Sequence, residues 1–363
     1  MNDLEQHAHL ELTTTHSSAP LERIGYGSCG SVWADSSTFP DIDKCESALA
    51  LKRADGLPDR SIENEAQMHK HILSRIVACQ PTFATAFHIN IPQHIHFLQP
   101  TTPGWNDILP RLPPESAAYQ ALVSERILPL PRASRQLLVE KFWNGPEHLR
   151  DSIVDDKRNE HCLIRPYLGR RKARTGEPRR SRLKAMISLR NYPLHINQVE
   201  ALGLPAHEYA SAMADALAFL LWVVEIDACD VEFVLARPRP GSGLSSGCDL
   251  GTRHFTSGLL GPHALWILDY DCCSKLPMSA EGVRIAAERF WRNDPFYPNP
   301  DAKCEEDMAL WEVFKNRFLE TSGKVMALKD EAIRQLPKQF IARVVETIGV
   351  YSKGVPSASR NVV

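Results

Sequence analysis

Three places in this chain carry residue types and spacings suited to handling phosphate. The run Gly25-Tyr26-Gly27-Ser28-Cys29-Gly30-Ser31-Val32 repeats glycine on the pattern G-x-G-x-x-G. A residue without a Cβ lets the backbone approach an anion closely and turn through positive φ. Downstream, Lys52 ends the short apolar run Leu49-Ala50-Leu51, where an ammonium can orient phosphate oxygens. The third place is a pair of acidic stretches: Asp227, Asp230 and Glu232 follow a long apolar run, and Asp269 ends the run Ala264-Leu265-Trp266-Ile267-Leu268. Phosphoryl transfer asks mainly for positioning and charge neutralisation, and Mg²⁺ takes hard oxygen ligands. The set therefore predicts ATP and Mg²⁺ as cofactors. Gly25, Gly27, Gly30 and Lys52 would hold phosphates, Glu232 and Asp269 the metal, and Asp227 would be the base.

The elements between these residues give them an order. Leu21 to Ile24 leads into the glycines as a strand, Ser31 to Ala34 leaves as a second, and Ala48 to Ala54 forms a third. A dinucleotide-binding glycine loop would instead open a helix. Ile62 to Ile76 has helical spacing at Ala66, Met68, Ile72 and Ile76. Glu65 on it is the candidate ion-pair partner of Lys52, with Glu63 second. Ile91 to Leu98 reads as a fourth strand and Gln120 to Ile127 as a fifth, ending in a connector at Glu125 that would face adenine. His207 to Glu225 follows the 3.6-residue period through Tyr209, Met213, Ala216, Leu217, Leu220, Leu221 and Val224.

This order matches the signature set of protein kinases. It predicts an α+β, two-lobed protein-kinase-like fold, with a small antiparallel-sheet lobe over 21–123 and a mostly helical lobe over 124–349. Laid without a gap on H-R-D-x-x-x-x-N, Asp227 takes the aspartate place and Glu232 the asparagine place. Glu225 and Ile226 stand where His and Arg are expected, and Asp230 competes with Asp227 for the role of base. Asp269-Tyr270-Asp271 takes the D-F-G place, and no A-P-E signature follows.

Bulk properties narrow the class. The chain has 363 residues, 43% apolar, with a formal charge of -2, so no global charge argues for nucleic acid or an anionic membrane. Its 9 cysteines include no C-x-x-C pair, which predicts reduced thiols in the cytoplasm or nucleus. Residues 1–20 read as a lead-in without a secretory signal and 350–363 as a tail. The most apolar run, Ala216 to Ile226, is too short to span a bilayer, so no membrane is expected. His69, His71, His94 and His96 lack the companions of a closed zinc site, so no zinc is expected. Insertions are predicted over 130–205 and 236–262. Within the first, Arg165, Arg170, Arg171, Lys172, Arg174, Arg179, Arg180, Arg182, Lys184 and Arg190 face the single acid Glu177. Such a run is either a solvated insertion or a clamp for an anionic partner, RNA or a phosphorylated protein.

The chain also resembles a little-characterised fungal family with a protein-kinase-like domain, often labelled "zinc finger protein". The similar stretches are Ser124 to Pro131, Leu163 to Arg171 (Leu-Ile-Arg-Pro-Tyr-Leu-Gly-Arg-Arg), Leu189 to His195, Asp230 to Leu235 and Trp266 to Asp271. The resemblance implies a kinase-like fold, sets Arg165, Arg170 and Arg171 in a patterned segment, and supplies no phosphoacceptor. Two functions follow as expectations: an ATP- and Mg²⁺-dependent phosphotransferase with an unknown small-molecule or protein acceptor, or a pseudokinase scaffold, which the missing His and Arg favour. Nucleic-acid binding through Arg165 to Arg190 is a third, resting on charge alone.

Overall fold

Strands β1 (Leu21–Tyr26) and β2 (Ser31–Asp35) are joined across the glycine run, in a computed structural model that describes residues 19–35, 49–79, 89–172, 188–239, 254–293 and 295–350. The turn closes through reciprocal bonds, Gly27 N–H to Gly30 O at 2.9 Å and Gly30 N–H to Gly27 O at 3.2 Å. Gly30 has φ +149°, and a Cβ there would stand 1.8 Å from the Arg53 carbonyl oxygen, so only glycine fits. With β3 (Leu49–Arg53), β4 (His94–Leu98) and β5 (Ala121–Glu125) these strands form an antiparallel sheet in the order β1-β2-β3-β5-β4.

The two-residue alternation of a strand separates the sides of this sheet. Leu51 joins Trp33, Leu98, Trp105, Ile108 and Val123 in one apolar cluster. Lys52 points the other way, toward α1 (Ile62–Ala78). The Ser61 side chain caps that helix by accepting the Asn64 N–H at 3.1 Å. Its buried stripe is Ile62, Glu65, Ala66, His69, Ile72 and Ile76, so the helical period itself carries a carboxylate into the core.

Beyond β5 the chain is mostly helical, with a second sheet. Helices α2 (Arg132–Phe142), α3 (Arg150–Val154), α4 (Ile196–Ala201), α5 (Ala206–Phe219), α6 (Ala280–Arg292), α7 (Glu305–Val325) and α8 (Leu336–Glu346) surround one large core. Helix α5 is buried nearly all round and packs on α7. There Arg317 holds Asp215 through two bonds of 2.7 and 2.8 Å. The last helical stretch is broken before Leu336, where the sequence predicts one helix over 325–348.

The second sheet has the order β7-β6-β8-β10-β9, built from β6 (Ile164–Tyr167), β7 (Tyr192–His195), β8 (Glu232–Ala236), β9 (Phe255–Ser257) and β10 (Gly261–Leu268). The described part of the segment predicted as an insertion over 130–205 is packed, not solvated. Ile164, Leu168, Leu189, Leu194, Ile196 and Val199 belong to the main core, and β6 pairs with β8 at Ile164 and Leu235. An α+β architecture with a small antiparallel sheet followed by helices is the observed class. Residues 240–253 and 173–187, within the two predicted insertions, lie outside the described residues, as do the lead-in 1–18 and the tail from 351.

Candidate active site

Lys52 is where the two sheets meet chemically. Its Nζ lies 2.7 Å from Glu65 Oε2 and 2.9 Å from Asp269 Oδ1, so strand β3, helix α1 and the end of β10 converge on one ammonium. Burial alone would lower the Lys52 pKa, but Asp269 and Glu65 hold it well above its ordinary value. Burial raises the Asp269 carboxyl, and the Lys52 ammonium more than offsets this, leaving it below its ordinary value. Glu65, pushed up by burial to about 7 against the pull of Lys52, is the weaker acid of the two. Asp269 therefore carries the firmer negative charge.

Glu232 stands beside Asp269 because Leu268, the last residue of β10, is paired with Glu232, the first of β8. Arg165 of β6 reaches the same spot, with its Nη2 2.5 Å from Glu232 Oε2. Burial pushes the Glu232 carboxyl up to about 7, while Arg165 pulls it down and Asp269 raises it further. A second cation, Arg60, enters from the loop before α1. Its Nη1 is 3.0 Å from Asp230 Oδ2 and 3.2 Å from Asp271 Oδ2. Asn64 Nδ2 donates to the carbonyls of Asp271 and Cys273, both at 2.9 Å, tying α1 to the loop after β10. Five carboxylates, Glu65, Asp230, Glu232, Asp269 and Asp271, thus face three cations, Lys52, Arg60 and Arg165. The acids outnumber the cations by two, and the crowding shows in the carboxyls of Glu65 and Glu232, each raised to about 7.

The acidic loops are backbone-strained. Glu225, Ala228, Asp230 and Asp269 all have positive φ, at 62°, 50°, 60° and 69°. Left-handed backbone at a residue with a Cβ costs on the order of 1 kcal/mol and persists only where neighbours impose it. At Ala228 and Asp230 one side chain does so: Asn293 Nδ2 donates to the Ala228 carbonyl and Asn293 Oδ1 accepts the Asp230 N–H, both at 2.7 Å.

Asp227, the candidate base of the sequence reading, is held within its loop. Its Oδ1 accepts the N–H groups of Cys229 at 3.2 Å and Ser274 at 2.9 Å, and Arg289 Nε stands 3.3 Å from Oδ2. At 2% exposure it anchors the loop from inside. The acid that the loop presents outward is Asp230, whose side chain is 50% exposed. Glu125 likewise stands apart from the Lys52 group. Its carboxylate is held by Arg239 at 2.6 and 2.7 Å and by the Gln93 N–H at 2.9 Å. Gly25, Gly27 and Gly30 lie on the hairpin above β3, and Cys29 between them packs inward with Ile62, Ala66 and Leu122.

The matching family model is described as "Zinc finger protein". It covers residues 265–330, from within β10 to just past α7, and so includes Asp269, Asp271, Arg289 and Asn293. That description is also the label carried by the family the sequence resembles. No curated protein and no solved structure matches the chain. Among the described residues no three of His, Cys, Asp and Glu are grouped to hold a metal. His69 Nε2 meets the Pro92 carbonyl at 2.6 Å and His71 Nε2 the Val224 carbonyl at 3.0 Å, so both serve packing contacts of α1.

Sequence reasoning missed three members of the site. Arg60 and Asn64 flank the Ser61 cap, and nothing in their local pattern marks them. Arg165 stood among ten basic residues and in the patterned segment Leu163 to Arg171, with nothing to point it to Glu232. Of that basic stretch, Arg171 is paired with Glu200 and Asp307, both at 2.7 Å, whereas Arg174, Arg179, Arg180, Arg182 and Lys184 lie outside the described residues.

Proposed function

We propose that this chain is a kinase-like, ATP- and Mg²⁺-dependent phosphotransferase acting on a small molecule or a protein. The observation that supports it best is the single ammonium of Lys52 between Glu65 and Asp269, beneath a hairpin of three glycines. Such a lysine is fixed for a ligand of the opposite charge, since two carboxylates from separate elements hold it in one geometry.

The residues present fit the cofactors. Glu232 and Asp269 are hard oxygen donors side by side, and a divalent cation would relieve the crowding of carboxyls there, with its remaining ligands from phosphate and water. A Cβ built on Gly27 would meet nothing within 4 Å, which leaves the hairpin tip open on that side. When bound, Mg²⁺ neutralises charge on the transferred phosphoryl group.

The chain's own residues do the rest. Lys52 orients phosphate oxygens, and Glu65 keeps Lys52 in place. Asp230, freed from Arg60 by an approaching acceptor, takes the hydroxyl proton in place of the buried Asp227. Glu232 would hold the cation, and Arg165, its present partner, would supply positive charge beside the phosphates.

A pseudokinase scaffold is the second reading. It is favoured by the ion pairs that already engage Asp269, Glu232 and Asp230 through Lys52, Arg165 and Arg60. The deciding test is thermal: a ligand specific to the folded state raises the melting temperature by mass action, by about 2.7 kcal/mol at a hundred times its Kd. ATP with Mg²⁺ should raise it, and Lys52→Met should abolish most of the rise. A wild-type protein indifferent to millimolar ATP and Mg²⁺ defeats the phosphotransferase and any nucleotide-gated scaffold, and leaves a scaffold that binds no nucleotide.

A further inference from the structure

Three cysteines stand in the two loops that meet at the acidic site, Cys229 in the first and Cys272 with Cys273 in the second. Backbone pairing aligns these loops. Ile226 forms an antiparallel bridge with Lys275, and the Asp227 N–H donates to the Ser274 carbonyl at 2.9 Å. Beyond that pair Ala228 turns left-handed, and the two loops stay in contact through their cysteines. Cys273 Sγ donates to the Cys229 carbonyl at 3.6 Å, and the Cys229 and Cys272 thiols are close enough for each to shift the other's ionisation.

The surroundings make the two sulfurs unequal. Arg60 Nη1 lies 2.5 Å from Cys272 Sγ while also holding Asp230 and Asp271, and Arg289 adds positive charge near Cys229. The neighbouring Cys272 thiol brings the Cys229 thiol below its ordinary pKa against the effect of burial. The same proximity, followed by burial, pushes Cys272 the other way. A thiol poised toward thiolate beside a second thiol is the arrangement of a redox-sensing pair. Cys229 is buried and Cys272 half-buried, and both are free, so a small oxidant reaches the pair from the Cys272 side.

We propose that Cys229 and Cys272 form a reversible disulfide, with a peroxide as oxidant, that fastens the loop bearing Asp230 to the loop bearing Asp271. The Cys229 thiolate attacks one peroxide oxygen, the O–O bond breaks and hydroxide leaves. The Cys272 sulfur then attacks the resulting sulfenic sulfur, the S–O bond breaks, and the hydroxyl departs as water with the thiol proton. Two thiols and one peroxide become one disulfide and two waters. No atom in these steps comes from nucleotide or metal, so the disulfide stands or falls separately from the phosphotransferase reading.

The test treats the reduced full-length chain with hydrogen peroxide, blocks remaining thiols with N-ethylmaleimide and maps peptides without reductant. The expected result is a cross-linked pair containing Cys229 and Cys272, a loss of two alkylatable thiols, and restoration of both by dithiothreitol. A rise in melting temperature should accompany the bridge, since it closes the chain between the two loops, and Cys229→Ser should show no such rise. Cys273→Ser should keep the cross-link and Cys272→Ser should lose it; the wild-type peptide map decides the matter even where a variant fails to fold. Recovery of Cys229 and Cys272 both alkylated after peroxide overturns the proposal. So does a Cys272 found bridged to Cys273 or oxidised to sulfinic acid with Cys229 still free.

Discussion

Replacing Asp227 and Asp230 by asparagine, one at a time, separates an acid that holds the loop from an acid that acts on substrate. Asp227→Asn keeps one oxygen for the N–H groups of Cys229 and Ser274, but it turns an NH₂ group toward Arg289 and removes the negative charge at a site 2% exposed. Breaking a buried ion pair costs about 3–5 kcal/mol. Arg289 keeps some solvent and a second partner in Glu288, which reduces the loss to about 2–3 kcal/mol. For 363 residues the unfolding entropy is about 0.8 kcal/mol per kelvin, so the melting temperature should fall by roughly 3–4 °C. Asp230→Asn loses only one of the contacts of Arg60, and at 50% exposure that is worth under about 1 kcal/mol, or roughly 1 °C. Calorimetry without nucleotide measures the first effect, and ATP hydrolysis with Mg²⁺ measures the second. Asp230→Asn should lower turnover by about 10²–10⁴-fold with the ATP-induced melting shift intact. An Asp227→Asn protein that melts like wild type would refute the anchoring role. If it also lost hydrolysis while Asp230→Asn hydrolysed normally, the gapless sequence register would be restored.

Two further expectations concern the buried charges of α1. Lys52→Met leaves Glu65 buried beside Asp269 without its cation, at a cost of about 3–5 kcal/mol in urea denaturation, and Lys52→Met with Glu65→Leu should recover most of that loss; equal stabilities of the single and double variants would contradict it. His69, 3% exposed, has its pKa lowered by burial to about 4 from an ordinary 6.5, so it stays neutral in the fold where the unfolded chain takes up a proton. Its contribution is intact above pH 6.5 and is lost as pH falls through about 4, amounting to about 2 kcal/mol at pH 5. His69→Gln should flatten the stability profile between pH 6.5 and 4, and an unchanged slope would show that other groups set it.

The sequence by itself determined the parts whose order is local. Alternation in β3 turns Lys52 away from Leu51, the helical stripe of α1 carries Glu65 inward, and the apolar run of β10 ends on Asp269. Each follows from a period of 2 or 3.6 residues read along one element, and the lysine, the helix acid and the strand-end acid do meet. Which acid of the loop 225–230 faces outward was not legible there, because left-handed residues at 225, 228 and 230 break any period and Asn293, more than sixty residues on, sets the loop's path. The same holds for Arg60 and Arg165. Their partners come from loops and strands far along the chain, and an ion pair has no spacing to announce it. Only the tertiary structure could decide that Leu163 to Arg171 builds a strand beside β8 instead of a solvated insertion. Its buried residues alternate with the half-buried Arg165 and Tyr167 over too few positions to outweigh the ten basic residues of the stretch, and pairing with a strand more than sixty residues away broke the tie.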